Sequence, residues 1–430
     1  MGVVSCGTTM LDQGVFENLP VATWDTTPKT SGFTAVSGVG YFVNTTAGAI
    51  SVNLPAGTAG AVVAIKDYAN TFDTNACTLV QNGSDKIGGS TNNSILSTEG
   101  IAVTLVYVDA TQGWLVTGSG LQSEAPLPQY ITATGGTITC SGDYKIHTFT
   151  GPGTFCVSCA GNPAGSVLVD YMVVAGGGAG GDAGDRGSGG GGAGGYRESP
   201  GTASGSYTVS PLGVAPAVAL PVSVTGYPIT VGAGGAGVAC NPQNAGPGAN
   251  SVFSTITAYG GGGGGQCDGA SPLGKSGAPG GSGGGAGIAG PSGGSIGNGN
   301  TPPVLPPQGN NGGASGGGCS SNSAGGGGGG ATAVGVNAGP GNAGDGGAGA
   351  TSSINGTPTA RAGGGGAGGG NSFGNGVDGG GNGNTWPGSP GPVAPSGTTN
   401  TGGGGGGSSA NAGGGNGGSG IVVIRYKFQN

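Results

Sequence analysis

The chain has 430 residues, of which 114 are glycine, 27 are proline and 6% are charged, with a net charge of -7. Glycine and proline are the two poorest helix formers, so a helical protein is excluded, and the low charge excludes a tail held open by self-repulsion. Ten basic residues and a single histidine argue against nucleic-acid binding, catalysis, and metal or cofactor binding.

The N-terminal segment, residues 1–25, has no basic stretch followed by an apolar one and so does not predict a secretory signal. We interpret it as an arm, which is either a disordered terminus or an anchor onto a partner. Since no stretch of the chain approaches the roughly 18 apolar residues of a membrane span, we expect no membrane insertion.

Residues 26–120 predict a compact all-β domain that resembles a β-sandwich. Apolar residues alternate over residues 49–54, and Asn82-Gly83 is a dipeptide typical of hairpin turns. Residues 102–108 and 114–117 are predicted strands on either side of a loop of hairpin length. Several short strands at this spacing favour a sandwich or a barrel.

A proline-containing linker, residues 121–130, is expected to precede a glycine-rich domain over residues 131–430. Residues 142–150 alternate as a strand does, and residues 167–175 form a nearly continuous apolar run of the buried-strand type. The chain ends with another strand pattern, residues 421–428. These segments predict a small β frame that the C-terminal strand closes, with almost no α-helix in the whole chain.

The glycine runs, such as residues 260–265, 325–330 and 402–407, exclude collagen, which needs a glycine at every third position. We predict polyglycine II helices, which have the three residues per turn of polyproline II. Without Cβ atoms, neighbouring helices can approach closely enough for their backbone groups to bond to one another. Flexible loops between the strands are the alternative interpretation.

Two parts of the chain resemble virion proteins of tailed bacteriophages, notably marine and cyanobacterial ones. Residues 41–46, 96–100 and 105–114 resemble a module of such proteins. Residues 144–149 and 169–178 are similar to the start of glycine-rich tail-fibre or adhesin domains, and residues 418–426 to their closing strand.

This resemblance implies a virion fibre or spike that is a homotrimer and is assembled in the host cytoplasm. The N-terminal arm would bind other virion proteins, and the distal glycine-rich domain would bind a host surface glycan or protein receptor. In adhesins of this kind, loops at the end of a polyglycine-helix sandwich contact the receptor. The eight cysteines of this chain depart from the pattern.

Two further functions are weighed against the fibre. A secreted or cell-surface glycine-rich structural protein is the first alternative, and it would need a route of export. An NTPase is the second, because residues 269–276 fit the P-loop pattern G-x-x-x-x-G-K-[ST]. Glycine and proline follow that motif where a phosphate-binding helix must begin, so we interpret it as a chance match.

Cysteine and histidine residues offer little chemistry in this sequence. Cys156 and Cys159 have the spacing of a thiolate pair, but a zinc site needs a second pair. We favour buried free thiols, and a redox pair or neighbours in β structure are the alternatives. His147 lies in an alternating strand and is interpreted as a structural residue.

Aromatic residues that interrupt glycine are the candidates for receptor contact, since aromatic faces suit sugar rings and protein hot spots. They are Tyr196 with its neighbour Arg197, Phe373, and Trp386. A hydrophobic plug inside a domain that has few large side chains is the alternative role for these residues.

Overall fold

The structure, a computed structural model, describes the backbone of residues 3–5, 8–12 and 15–16, and residues 22–121, 128–183, 187–205, 207–237, 245–266, 276–288, 294–316, 323–385, 392–409 and 413–429 in full. The chain divides into two compact units, Met1–Leu127 and Pro128–Asn430. The described residues form β strands and no α-helix, so the all-β prediction is confirmed.

The N-terminal unit contains three sheets. Its strands are β1 (Val3–Ser5), β2 (Thr8–Asp12), β3 (Val15–Phe16), β4 (Thr23–Lys29), β5 (Phe33–Thr34), β6 (Val39–Val43), β7 (Ile50–Asn53), β8 (Val62–Asp67), β9 (Cys77–Val80), β10 (Ser94–Leu96), β11 (Ile101–Tyr107) and β12 (Trp114–Leu121). The sheet orders are β1-β2-β3, β10-β9-β7-β5 and β12-β11-β8-β6-β4.

From β4 to β9 the chain alternates between the two larger sheets, and strands in each sheet therefore pair in parallel. β6 pairs with β4 and β8 in this way, and β7 with β5 and β9. In these two sheets, antiparallel pairing begins with β10 and with the β11–β12 hairpin, which the sequence predicted. Side chains from both sheets, among them Val43 and Leu105 of one sheet and Val52 of the other, form one buried core. Residues 22–121 therefore form a β-sandwich in which consecutive strands from β4 to β9 belong alternately to one sheet and the other.

The glycine-rich unit is built on two further sheets and a hairpin. Its strands are β13 (Ile131–Thr134), β14 (Thr137–Ser141), β15 (Tyr144–Phe149), β16 (Gly153–Ala160), β17 (Leu168–Val174), β18 (Tyr196–Glu198), β19 (Leu220–Pro221), β20 (Gly226–Thr230), β21 (Ser251–Phe253), β22 (Ile256–Ala258), β23 (Ala350–Ser352), β24 (Thr359–Arg361) and β25 (Ile421–Lys427). The sheet orders are β13-β16-β20-β21-β22, β14-β15-β25-β17-β18 and β23-β24, and β19 also pairs with β17.

The C-terminal strand β25 lies inside its sheet, between β15 and β17. One face of this sheet packs against the sheet of β13 and β16, where Phe155, Tyr171 and Ile424 are buried. Its other face is covered by the β23–β24 hairpin and by partly buried side chains such as Tyr207. The last strand therefore closes the β frame, as the sequence predicted.

Between these strands, the glycine-rich tracts bond to one another with a period of three residues. In tract 187–195, the N–H groups of Ser188, Gly191 and Gly194 donate to the carbonyls of residues 408, 405 and 402. The next three, at residues 189, 192 and 195, donate to residues 265, 262 and 259. In a helix with three residues per turn, every third N–H group points in the same direction, so each row of N–H groups bonds to one neighbouring helix. The tracts are polyglycine II helices.

Tract 187–195 is surrounded by six others. It donates to tracts 402–408, 259–265 and 326–329, and it accepts from residues in tracts 178–181, 282–285 and 365–368. The backbone groups of this central tract are thus bonded although the tract is buried, which is the condition for burying a backbone without cost.

Close packing explains why these positions are glycine. A Cβ added to Gly191 would lie closer than 3.0 Å to backbone atoms of Gly178 and Ala179 in the neighbouring tract. The same tract accommodates Ala193, because the methyl group of that residue belongs to a buried apolar cluster with Met172. The direction in which a side chain would point decides which positions must be glycine.

Outer tracts carry asparagine, whose side chain replaces a missing neighbour. Among the described residues, five exposed asparagines accept through Oδ1 from a backbone N–H of the adjacent tract at 2.7 to 2.9 Å. The acceptors are Asn250, Asn311, Asn337, Asn382 and Asn416, and the donors are Gly260, Gly299, Ala314, Gly376 and Gly237 respectively.

Two buried carboxylates fasten the segment that follows β18. Asp170 on β17 accepts from the Ser199 hydroxyl at 2.7 Å and from the Ser204 N–H and hydroxyl at 2.7 and 2.6 Å. Glu198 accepts from the Tyr196 hydroxyl at 2.9 Å and the Ser210 N–H at 3.1 Å. Burial raises the pKa of the Glu198 carboxyl. Its hydrogen bonds lower the pKa, but the effect of burial is the larger one.

His147 on β15 is fully buried and bonded through both ring nitrogens. Its Nδ1 lies 2.7 Å from the Gly135 carbonyl oxygen, and its Nε2 lies 3.1 Å from the Tyr426 hydroxyl. A carbonyl can only accept, so Nδ1 carries the proton and Nε2 accepts from Tyr426. Burial lowers the pKa of the imidazole. The arrangement is that of a structural histidine, as the sequence indicated.

We expect this histidine to make the unit less stable in acid. Its pKa in the folded chain lies below the ordinary value of 6.5, so the unfolded chain binds the proton first as the pH falls. The stability that neutral His147 contributes is therefore complete above pH 6.5 and decreases below it, by at most about 1.4 kcal/mol per pH unit.

The measurement is urea unfolding of the wild type and His147→Gln at pH values from about 8 to 5. The difference in unfolding free energy between the two should shrink below pH 6.5. Glu198 titrates in the opposite sense, because its raised pKa favours the folded state in acid, but it is common to both proteins and cancels. A difference that stays constant with pH would contradict the assignment.

Candidate functional site

The described polyglycine tracts alternate in direction along the chain, so the tract ends on either side of every second connection lie at one end of the array. Residues beside these connections bond to one another. Gly181 donates to Gly189, Gly325 donates to Gly368, and Asn384 donates to Gly407. We call the residues at and beside these connections the loop end of the unit. The β frame and the β23–β24 hairpin follow the opposite ends of the tracts.

Two described connections show how the loop end is built. Gly341 has a φ of 71°, a conformation that favours glycine, and its carbonyl accepts from the N–H groups of Asn371 and Ser372 at 3.2 and 3.3 Å. The Ser372 hydroxyl donates to Asn342 Oδ1 at 3.1 Å. Next to this pair, Phe373 begins the following tract with 44% of its surface exposed. An exposed aromatic residue thus follows, in the chain, directly after residues that are hydrogen-bonded at this connection.

The predicted receptor residues lie at both ends of the array. Tyr196 and Arg197 follow tract 187–195 at the end away from the loops, which is roughly 25 Å from the loop end at 3.1 Å per residue. Tyr196 is 1% exposed and donates to Glu198, so the alternative role, a hydrophobic plug, describes this residue. Arg197 is half-buried, and its Nη2 donates to the Leu305 carbonyl at 3.4 Å.

Phe373 is the predicted residue that the structure places at the loop end with its side chain exposed. Trp386 lies outside the described residues, although Thr385 before it forms a bridge with Gly369 at the loop end. The role of Trp386 stays a prediction. The P-loop pattern, residues 269–276, also lies outside the described residues except for its last position.

Asn342, Asn371 and Ser372 were not predicted as site residues. The signal that could have found them is the order of the tracts along the chain. If consecutive tracts run in opposite directions, alternate connections lie at the same end, and Gly-Pro-Gly-Asn at residues 339–342 is such a connection. Composition alone does not show this, because glycine fills tracts and connections alike.

The chemistry of the described site is that of neutral hydrogen-bonding groups and one aromatic ring. In the part of the chain that the structure describes, no three His, Cys, Asp or Glu residues lie together as a metal site requires. The described residues also contain no helix long and apolar enough to span a membrane. Loops of this kind are suited to binding by surface complementarity.

The prediction of buried free thiols at Cys156 and Cys159 is wrong for the first residue. Cys156 is exposed and Cys159 is partly exposed, and both are free. The reason is that both side chains lie on the outer face of the sheet of β13 and β16, while Phe155 and Val157 face its core.

Comparison with known families gives one match to this architecture. A family model described as a glycine-rich domain matches residues 148–427, which is well over half of the chain. No curated protein matches the sequence. The matched region begins in β15 and ends with β25, so it covers the polyglycine array and most of the β frame that carries it. The chain therefore belongs to the glycine-rich domain family.

Proposed function

We propose that the protein is a non-enzymatic fibre or spike of a tailed-phage virion, which attaches the particle to the host cell through its loop end. The observation that supports this most is the array itself. A bonded lattice of polyglycine tracts holds many short connections at one end, and binding residues are often found on loops that a rigid scaffold positions. The sequence resemblance to phage adhesins supports the same proposal.

The proposal has three further parts that follow from the resemblance. The chain would form a homotrimer, residues 1–25 would attach it to other virion proteins, and assembly would take place in the host cytoplasm. The receptor would be a surface glycan or protein. Mass measurement of the purified full-length chain in solution should give an oligomer, and a stable monomer would contradict the trimer.

A secreted or cell-surface glycine-rich structural protein is the alternative function. The same array could serve as a rigid spacer with no receptor. The two proposals differ in the loop end, which must bind a cell surface in the first and has no binding role in the second.

Adsorption of the labelled full-length chain to bacterial cells tests the proposal. We expect saturable binding to the cells that the particle infects, and Phe373→Ala should weaken it at least about fivefold, since truncating an aromatic hot spot costs above 1 kcal/mol. Leu305→Ala is the matched control, because Leu305 is 70% exposed and lies at the opposite end of the array. If Phe373→Ala and Leu305→Ala bind the cells equally well, Phe373 does not contact the receptor.

A further inference from the structure

A β-bulge brings the two cysteines of the Cys-x-x-Cys motif onto one face of a sheet. In a regular strand, residues three apart point to opposite faces. Here β13 pairs Thr134 with Cys156 and Thr132 with Cys159, and the register shifts between these pairs. Ser158 is the extra residue of the bulge, and its hydroxyl donates to the Thr132 carbonyl at 3.2 Å.

Burial confirms that both side chains point outward. Phe155 and Val157 are 0% and 2% exposed in the core, whereas Cys156 and Ser158 are exposed and Cys159 is partly exposed. On the other side of β16, Cys156 faces Gly226 of β20, which has no side chain to cover it. Solvent and small molecules can therefore reach the pair.

The register also sets the spacing of the two cysteines. Their partners on β13 are two residues apart, so the two cysteine Cα atoms lie about 6.7 Å apart, at 3.3 to 3.4 Å per residue. Disulfides join Cα atoms roughly 4.4 to 6.8 Å apart. The separation is thus at the upper limit of that range, so formation of the bond requires the bulged strand to contract at this point.

We propose that Cys156 and Cys159 form a reversible dithiol–disulfide pair on the surface of the glycine-rich unit. The oxidant is a small disulfide such as oxidised glutathione. The Cys156 thiolate, as the more exposed one, attacks a sulfur of that disulfide and releases one thiol. The Cys159 thiolate then attacks the mixed disulfide, forms the Cys156–Cys159 bond and releases the second thiol. Two protein thiols are oxidised, and one small disulfide is reduced to two thiols.

This inference is independent of the proposed function. It assigns the pair a redox role that the sequence left open as an alternative, and it makes the outer face of this sheet sensitive to the compartment. A reducing environment keeps the two thiols free, and an oxidising one closes them.

Trypsin makes the test direct. Cleavage after Lys145 and Arg186 gives a peptide that contains Cys156 and Cys159 and no other cysteine. Cleavage after Lys86 and Lys145 gives a peptide with Cys140 alone, an exposed thiol in the same unit. The folded chain is treated with oxidised glutathione, its remaining thiols are alkylated, and the chain is digested with trypsin. The masses of both peptides are then measured by mass spectrometry.

We expect the first peptide to lose about 2 Da, the two thiol hydrogens, and to carry neither glutathione nor alkyl groups. The Cys140 peptide should retain one glutathione, because it has no second thiol to displace it. In Cys156→Ser, the first peptide should retain one glutathione on Cys159. Two glutathiones or two alkyl groups on the wild-type peptide would overturn the proposal. The proposal would also be overturned if the Cys156–Cys159 disulfide formed in the urea-unfolded chain at the same glutathione concentration as in the folded chain. The bulge would then contribute nothing to disulfide formation.

Discussion

Replacing Gly191 with alanine is expected to lower the unfolding free energy of the glycine-rich unit by about 3 kcal/mol, the upper end of the usual cost of overpacking. Gly191 lies in the central tract, where its N–H donates to Gly405 and its carbonyl accepts from Gly365. The added methyl group would collide with backbone of the neighbouring tract rather than with a side chain that could turn away. Separating the tracts would break the bonds along both.

Calorimetry of the full chain measures this effect. The thermal unfolding transition that shifts on substitution belongs to the glycine-rich unit, because that unit carries Gly191. Gly151→Ala is the matched control, since a Cβ at Gly151 would meet no atom within 4 Å. That variant should stay within about 0.5 kcal/mol of the wild type. A Gly191→Ala protein that unfolds with the wild type would show that the tracts are not closely packed.

Replacing Asp170 with alanine should destabilise the same unit by roughly 3 kcal/mol or more, because several buried donors lose a charged acceptor and each such loss costs about 1.5 to 3 kcal/mol. Its carboxylate is fully buried and is the acceptor for three donors on Ser199 and Ser204. Arg425 lies opposite Asp170 in the sheet and is itself 2% exposed, so the substitution also removes a negative charge from the neighbourhood of a buried cation.

Two measurements separate this effect from a general loss of stability. Unfolding in urea gives the free energy, and trypsin should cleave after Arg197 faster than in the wild type, because the segment that follows is no longer fastened to β17. Asp143→Ala is the control, since Asp143 is partly exposed and its bond to Gln429 is 3.5 Å long. Unchanged cleavage after Arg197 in Asp170→Ala would mean that Asp170 does not fasten the segment, and that Glu198 and the apolar contacts are sufficient to hold it.

Local patterns predicted the strands and the β11–β12 hairpin, but not how strands distant in sequence pair. The final apolar run was predicted over residues 421–428 and forms β25 over Ile421–Lys427. In the N-terminal unit, the alternation over residues 49–54 is the same for a parallel and an antiparallel strand that has one buried face. Pairing of β7 with β5 and β9 is decided by which strands share a sheet, and this depends on contacts between residues distant in sequence.

The candidate site was predictable only in outline. Tyr196 and Phe373 look alike in sequence, as single aromatic residues among glycines, yet the first is buried and the second is exposed. The difference comes from the buried carboxylate of Glu198 and the segment that covers it, which no local pattern shows. Likewise, the bulge at Ser158 is absent from the sequence pattern and reverses the side on which Cys159 lies.

The asparagines of the outer tracts have a consequence for the behaviour of the protein in solution. A lattice of bare backbone has no natural boundary, because another chain of the same kind could continue it by the same bonds. Each asparagine oxygen, such as that of Asn311 on Gly299, occupies a position that the next tract would otherwise take. These side chains therefore end the network of backbone hydrogen bonds at the outer tracts, because they occupy N–H groups to which a further tract could otherwise bond.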